Sequence, residues 1–178
     1  GGTVFKMVDT AGVDGERIIL SSNPTRNPLE KDMMQQTLLA ARGADLILLM
    51  FDAKVGITSD LLETTRWLRK ISGDGKKRVM PREIVILANK LEGDHWNYFG
   101  SMVMDHLDDV SRVGFGEAIP ISAAHGEGLS ELATIIESLT LKKRAALGLP
   151  KKNGLENDDR LANDADKPLQ LAILGRQN

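Results

Sequence analysis

The sequence predicts an α/β fold, a three-layer structure in which a parallel sheet carries helices on both faces. Short apolar runs, typical of buried strands, alternate along the chain with segments of helical periodicity. Three of the runs lead into polar loops, which begin at Asp9, Asn89 and Ser122. Because ligands of open parallel sheets bind beyond the carboxyl ends of the strands, these loops predict a binding site along one edge of the sheet.

Five apolar runs are expected to be strands. They are short and lie between loop or turn residues, as strands usually do. The run at 46–51 is continuously apolar, which is typical of a strand buried on both faces. The five ranges, in chain order, are 4–8, 46–51, 84–87, 118–121 and 169–174.

Four segments between these runs are expected to be helical. The first has helix-forming composition and is followed by Gly43, a residue type that commonly ends helices. In the last, apolar residues recur at the spacing of one helix face, and Lys142, Lys143 and Arg144 suit its C-terminal end. The segments are 29–42, one capped by Ser59 or Asp60, 95–113, and one from residue 129 to about residue 147.

Composition sets limits on the function. At 178 residues, 42% hydrophobic and 27% charged, the chain suits a soluble globular domain with a sizeable core. Its net charge of −2 gives no general attraction to nucleic acids or anionic membranes. The absence of cysteine excludes disulfides and thiolate chemistry. The longest apolar run is too short to span a bilayer, so we expect no membrane partner.

The loop after the first strand has the residues of a phosphate and metal site. Asp9 can hold Mg²⁺ through water, since hard cations prefer oxygen ligands. Gly12 lets its backbone N–H approach a terminal phosphate without a Cβ clash. No G-x-x-x-x-G-K-[ST] sequence precedes Asp9 in the 178 residues, so we expect the domain to be truncated at its N-terminus.

The second and third loops have the residues of a guanine site. Asn89 can hydrogen-bond the N7 and O6 edge of a purine, and the stem of Lys90 can lie along the base. Glu92 can accept hydrogen bonds from guanine N1–H and the 2-amino group, donors that adenine lacks. Asp94 is a less favoured alternative to Glu92.

In the third loop, backbone N–H groups of Ser122, Ala123 and Ala124 can point at guanine O6. The neighbouring His125 is expected to be structural and not catalytic. We assign no catalytic residue.

Three motifs together resemble the Der (EngA) family of double GTPases. They are Asp9-Thr10-Ala11-Gly12-Val13, residues 66–69 (R-W-L-R) and residues 114–128, G-F-G-E-A-I-P-I-S-A-A-H-G-E-G. The resemblance covers residues 4–141 and implies a P-loop NTPase-type fold. It further implies GTP or GDP with Mg²⁺ as ligands, and a role with the large ribosomal subunit or its rRNA. The compartment would be the cytoplasm, a chloroplast or a mitochondrion.

The resemblance also implies the domain organisation. Residues 1–147 would be the first GTPase domain without its phosphate loop and switch I, and 148–167 a linker. Residues 168–178 would be the first strand of a second GTPase domain, with Gly175 and Asn178 starting its phosphate loop. Val13 and Asn178 match members that use K⁺ in hydrolysis. Glu92 departs from the family's usual aspartate.

Two functions remain open from the sequence. The first is a Der-type GTP-binding protein in ribosome large-subunit biogenesis, of which this chain is a fragment unable to hydrolyse GTP alone, so that enzyme activity is undecided. The second is a non-catalytic RNA- or protein-interaction module built on a GTPase fold, with contacts from the basic clusters at 142–144 and 151–152.

A structural prediction follows from the resemblance. In this fold the domain's first strand lies between the strands at 4–8 and 46–51, and the chain has no such strand before residue 4. An unfilled gap would leave backbone groups without partners. We therefore predict that 169–174, a first strand by type, fills the gap in parallel orientation. The alternative is that the gap closes and the C-terminal residues are loose or dock elsewhere.

Overall fold

A computed structural model describes residues 3–10, 28–73, 78, 80–94, 96–98, 101–149 and 168–175, with only the backbone for 28–31, 33 and 34. Five strands and four helices alternate along these ranges. The strands are β1 Phe5–Asp9, β2 Leu46–Asp52, β3 Glu83–Asn89, β4 Ile119–Pro120 and β5 Leu169–Gly175. The helices are α1 Pro28–Gly43, α2 Ser59–Ser72, α3 Met102–Ser111 and α4 Leu129–Ala146.

All five strands are parallel, and the order across the sheet is β1-β5-β2-β3-β4. The last strand of the chain therefore lies between the first two. Leu171 is aligned with Met7 of β1 on one side and with Leu46 of β2 on the other. The prediction that residues 169–174 fill this gap is confirmed, because β5 pairs with β1 over residues 169–173 and with β2 over residues 171–175.

Helices cover both faces of the sheet, as predicted. On one face α1, α2 and α3 contribute residues such as Ala41, Leu68 and Val110 to a buried cluster. On the other face α4 contributes Ile136 and Leu139. The strands supply both clusters by alternation: in β5, Ala172 and Leu174 belong to the first, whereas Leu169 and Leu171 belong to the second.

Most element boundaries lie within one or two residues of the predicted ones, and three differences have a clear structural origin. Helix α3 begins at Met102 and not near residue 95, because the Ser101 hydroxyl accepts the Val103 N–H and caps the helix there. Helix α2 is capped by Thr58, whose hydroxyl accepts the Leu61 N–H. Strand β4 has only two residues, since the polypeptide turns away at Ser122.

A buried ion pair fixes β5 at the amino edge of the sheet. Lys143 of α4 lies with its Nζ 2.7 Å from Asp45 Oδ2 and 3.0 Å from the Pro168 carbonyl oxygen. The same Asp45 oxygen accepts the Gln170 backbone N–H at 2.9 Å. Helix α4 thus ends at the edge opposite the polar loops, where a parallel strand has to begin. Because Lys143 is only 8% exposed, it does not form part of a basic surface.

Within the described ranges no helix is long and apolar enough to cross a membrane. The expected linker at 148–167 lies outside those ranges except for Gly148 and Leu149.

Candidate functional site

Four strand ends meet at the carboxyl edge of the sheet. Asp52 and Asn89 are aligned with each other, and Gly175 is aligned with Met50. Asp9 is aligned with Ile173, and so lies lower on the sheet. From strand spacing and rise, Asp9 and Asn89 are separated by about 14 Å across and about 13 Å along the strands. This separation suits an elongated ligand rather than one ion shared by both side chains.

Asn89 joins two of the predicted loops. Its Oδ1 accepts the Ala123 backbone N–H at 2.9 Å, while its Nδ2 lies 3.5 Å from the weak acceptor Met50 Sδ. This arrangement fixes the orientation of the amide, because only its oxygen can accept from an N–H. The Nδ2 donor therefore remains available to acceptors such as N7 and O6 of a purine.

Lys90 is held in an unusual conformation next to Asn89. Its φ of 72° lies in the left-handed region, which costs a non-glycine residue about 1–2 kcal/mol. Its Nζ lies 2.7 Å from Asp52 Oδ2. Partial burial raises the pKa of Asp52, but the hydrogen bonds from Lys90 and from the Lys54 backbone N–H lower it by more, so the net shift is downward.

The carboxylate of Glu92 is ionised and has a cationic partner. Lys54 Nζ lies 3.0 Å from Glu92 Oε2. The backbone N–H of Glu92 itself and the hydrogen bond from Lys54 hold the pKa of Glu92 below its usual value. An ionised carboxylate accepts hydrogen bonds only, as the paired donors of guanine require.

The third loop is a compact turn around Ser122. Its carbonyl oxygen accepts the N–H groups of His125, Gly126 and Glu127 at 2.8–3.2 Å. The buried Ser122 hydroxyl lies 3.0 Å from His125 Nδ1, which agrees with a structural role for that histidine. The Ala124 backbone N–H donates to no other residue that the structure describes, so it is open to a ligand.

A second contact ties the loops together. Glu127 Oε2 accepts the Gly93 backbone N–H at 2.7 Å, so the loop after β4 holds the loop after β3 one residue beyond the contact of Glu92 with Lys54. Asn89, Glu92 and the 122–124 loop therefore form one connected unit, as their common position at strand ends predicts.

The unit depends on glycine at position 128. Gly128 has φ 75°, and a Cβ there would clash with the Pro120 carbonyl oxygen and press on Ile121. We expect Gly128→Ala to lower the free energy of unfolding by about 2–4 kcal/mol, because left-handed strain and a backbone clash add together.

The matched control is Gly126→Ala. Gly126 has a similar φ of 73° but nothing within 4 Å of the added Cβ, so only the strain of about 1–2 kcal/mol is expected. Urea denaturation of both variants measures the difference, and equal losses would show that the contact with Pro120 is unimportant.

Asp9 and Thr10 represent the phosphate side of the predicted site in the described residues. Asp9 is exposed at the end of β1, and the hydroxyl of Thr10 donates to the Ile173 carbonyl oxygen at 2.7 Å. Gly12 and Asn178 lie outside the described residues. No group of three or more metal-ligating side chains occurs in the ranges the structure describes. Asp9 by itself can supply one ligand to Mg²⁺, and waters and phosphate oxygens would supply the others. This is the usual way in which proteins bind Mg²⁺.

A cavity of about 320 Å³ opens between the carboxyl ends of β5 and β2 and the first turns of α2. Gly175, Asp52, Asn89 and Lys90 line one side of it, and Leu61 of α2 lines another. The cavity thus continues the predicted site from the base-binding loops toward the end of β5.

Three residues of this site are absent from the residues predicted to bind a ligand. Asp52 could have been inferred, since it ends β2 as Asp9 ends β1. Lys54 and Glu127 could not, because their contacts depend on how loops distant in sequence are brought together.

The amino-acid sequence is similar to those of several known proteins. No model of a known protein family matches the chain. Three curated relatives, each called GTPase Der, align with 98% of it. The protein of Jannaschia sp. (strain CCS1) is 31% identical over 174 residues. Those of Roseobacter denitrificans and Brucella suis (strain ATCC 23445 / NCTC 10510) are 32% identical over 183 and 31% identical over 194 residues. The chain spans 31–35% of the length of these relatives.

A solved structure has a similar fold. The crystal structure of Era in complex with MgGDPNP and nucleotides 1506-1542 of 16S ribosomal RNA superimposes with a TM-score of 0.51. The match covers 89% of this chain and 61% of that one at 17% sequence identity. At this identity the likeness concerns the fold alone, and it agrees with the predicted P-loop NTPase-type architecture.

Proposed function

Because this chain belongs to the Der (EngA) GTPase family, we propose that it carries the guanine-binding part of a GTPase that acts in assembly of the large ribosomal subunit. The setting would be the cytoplasm, a chloroplast or a mitochondrion, with the large subunit or its rRNA as partner. The assignment of residues 168–178 to a second GTPase domain belongs to the same proposal and is supported by the alignment of the relatives with 98% of the chain.

The observation that carries the proposal is the orientation of Asn89. Its oxygen is used by Ala123, so the group left to donate to a ligand is Nδ2, whose recorded contact is with the weak acceptor Met50 Sδ at 3.5 Å. The N–H of Ala124, which has no acceptor among the described residues, supplies a second donor, and ionised Glu92 supplies acceptors. Two donors for the N7 and O6 edge and an acceptor for N1–H and the 2-amino group match guanine, and they do not match adenine.

Magnesium and potassium enter the proposal at the phosphate end. Asp9 would be the protein's carboxylate on the magnesium side, and Gly12 would contact the terminal phosphate. Mg²⁺ supplies charge neutralisation on phosphate oxygens when it is bound. Val13 and Asn178 resemble residues of family members that use K⁺, which supports a potassium requirement in the complete protein.

Hydrolysis is not expected of the 178-residue chain by itself. Phosphoryl transfer depends on a phosphate loop with its lysine, which positions and neutralises the transferred group. The chain contains no G-x-x-x-x-G-K-[ST] sequence. The residues of the chain can select and bind a base, whereas turnover also requires a phosphate loop and its lysine.

Calorimetric titration with GDP and ADP tests the proposal. We expect weak binding with a preference for GDP of about tenfold or more, because an ionised Glu92 rejects a base without N1–H and 2-amino donors. Asn89→Ala should weaken GDP binding by about two- to tenfold, since one hydrogen-bonding group is lost.

Asn97→Ala is the control for the asparagine variant, because Asn97 is exposed and lies outside the site. Equal affinities for GDP and ADP would contradict the guanine assignment. Binding of rRNA without any binding of GDP would instead favour the interaction-module function.

A further inference from the structure

Two short segments with complementary charges face each other at the carboxyl edge. In the segment after β2, Asp52 and Lys54 are two residues apart, and in the loop after β3, Lys90 and Glu92 have the same spacing. The structure pairs Asp52 with Lys90 at 2.7 Å and Lys54 with Glu92 at 3.0 Å. The two segments are therefore joined by two parallel ion pairs.

The backbone around Lys54 is itself well fixed. Its N–H donates to Asp52 Oδ1 at 3.0 Å, and the Ala53 N–H donates to the Asn89 carbonyl oxygen at 3.0 Å. The Val55 and Gly56 N–H groups both donate to the Asp52 carbonyl oxygen at 3.1 Å. Lys54 thus projects from a closed turn that is tied directly to the loop it contacts.

Glu92 needs such an anchor more than an aspartate would. A glutamate has one more rotatable bond, so a larger set of conformations must be given up when its carboxylate is held against a ligand. The Glu92 side chain is 37% exposed, and packing alone does not fix it. A carboxylate has about four acceptor positions, so Lys54 at one oxygen leaves positions for two guanine donors.

We infer that Lys54 is a positioning residue that orients the Glu92 carboxylate for guanine recognition. The inference rests on the proposed function, since it concerns the same base-binding site. It explains how a glutamate can serve at this position, because the lysine restricts the longer side chain. Lys54 does not contact the base in this scheme and acts only through Glu92.

The test compares Lys54→Met with Lys54→Arg and with Lys142→Met, a control lysine exposed on α4. GDP, IDP and ADP are titrated at low ionic strength, since an exposed ion pair is screened by salt. IDP lacks the 2-amino group, so a well-oriented carboxylate distinguishes it from GDP. Lys54→Met should weaken GDP binding by about two- to fivefold, the range that an exposed ion pair supports.

The GDP-to-IDP affinity ratio distinguishes a residue that orients Glu92 from one that only stabilises the fold of the loop. We expect Lys54→Met to lower the GDP-to-IDP affinity ratio, Lys54→Arg to restore it, and Lys142→Met to leave it unchanged. In a Glu92→Asp background the carboxylate withdraws from Lys54, so Lys54→Met should have little further effect. A loss of affinity that is equal for GDP, IDP and ADP would overturn the inference.

A second readout does not require a nucleotide. Carboxyl ¹³C chemical shifts followed against pH should show the pKa of Glu92 rising toward its usual value in Lys54→Met and staying low in Lys142→Met. An unchanged Glu92 pKa would also overturn the inference.

The experiments distinguish failure of the proposed function from failure of the inference. If the unmodified chain shows no preference for GDP over ADP, the proposed function fails. If the preference exists and Lys54→Met leaves the GDP-to-IDP affinity ratio intact, only the inference fails.

Discussion

Removal of residues 168–178 is expected to abolish cooperative folding of the chain. Strand β5 has ladder partners on both sides, and Leu169, Leu171 and Leu174 are each no more than 1% exposed. Burial of three leucines contributes about 5–9 kcal/mol, at about 1.5–3 kcal/mol each. That range is comparable with the whole net stability of a typical domain, about 5–15 kcal/mol.

Circular dichroism and urea denaturation of the truncated chain measure this effect. Deleting only residues 176–178, which follow β5, is the matched control and should leave the unfolding transition nearly unchanged. A synthetic peptide of residues 168–178 added to the truncated chain should restore the transition in a concentration-dependent way. A truncated chain that unfolds cooperatively at an unchanged midpoint would show that the gap between β1 and β2 can close without β5.

The second large effect is expected at Lys143. Lys143→Met removes the ammonium partner of Asp45 and the donor to the Pro168 carbonyl oxygen, and it leaves the Arg78 guanidinium, 3.6 Å from Asp45 Oδ1, as the remaining cation beside the buried carboxylate. Loss of one partner of a buried ion pair costs about 3–5 kcal/mol, and because Arg78 stays close to Asp45 we expect the lower end of that range. Differential scanning calorimetry should therefore show a large fall in the melting temperature.

Lys142→Met serves as the control here too, because the adjacent lysine is exposed and its change should stay within about 0.5 kcal/mol. Replacing Asp45 and Lys143 together, as Asp45→Asn with Lys143→Met, should recover part of the loss. If Lys143→Met and Lys142→Met unfold alike, the buried pair does not hold β5 at the amino edge.

Much of the fold could be predicted from the sequence because the apolar runs are strong signals. The position of β5 could be predicted only with the family resemblance, because the strand order that it implies leaves a gap between β1 and β2 that an apolar run after a polar segment could fill. The start of α3 could not be predicted. It is set by the hydrogen bond from the Val103 N–H to the Ser101 hydroxyl, and the amino-acid composition of the segment does not reveal which residue caps the helix.

The location of the candidate site residues divides in the same way. That Asn89 and the 122–124 loop lie together could be predicted because each stands at a strand end, and parallel strands bring their carboxyl ends together. The partners Lys54 and Glu127 required the register of β2 against β3 and the turn around Ser122. The pairing of Asp45 with Lys143 spans 98 residues and has no local sequence signal.

The place of β5 in the sheet has a consequence for the time course of folding. Thr10 and Ile173, which are joined by a hydrogen bond, are 163 residues apart, and the Gln170 contact with Asp45 spans 125. Loop-closure entropy has to be overcome before such non-local contacts give any gain, so high contact order slows folding. During synthesis, β1 and β2 emerge long before the strand that separates them. Until it arrives, the edges of β1 and β2 that face the gap lack their ladder partner, and unpaired strand edges are sites of association with other chains.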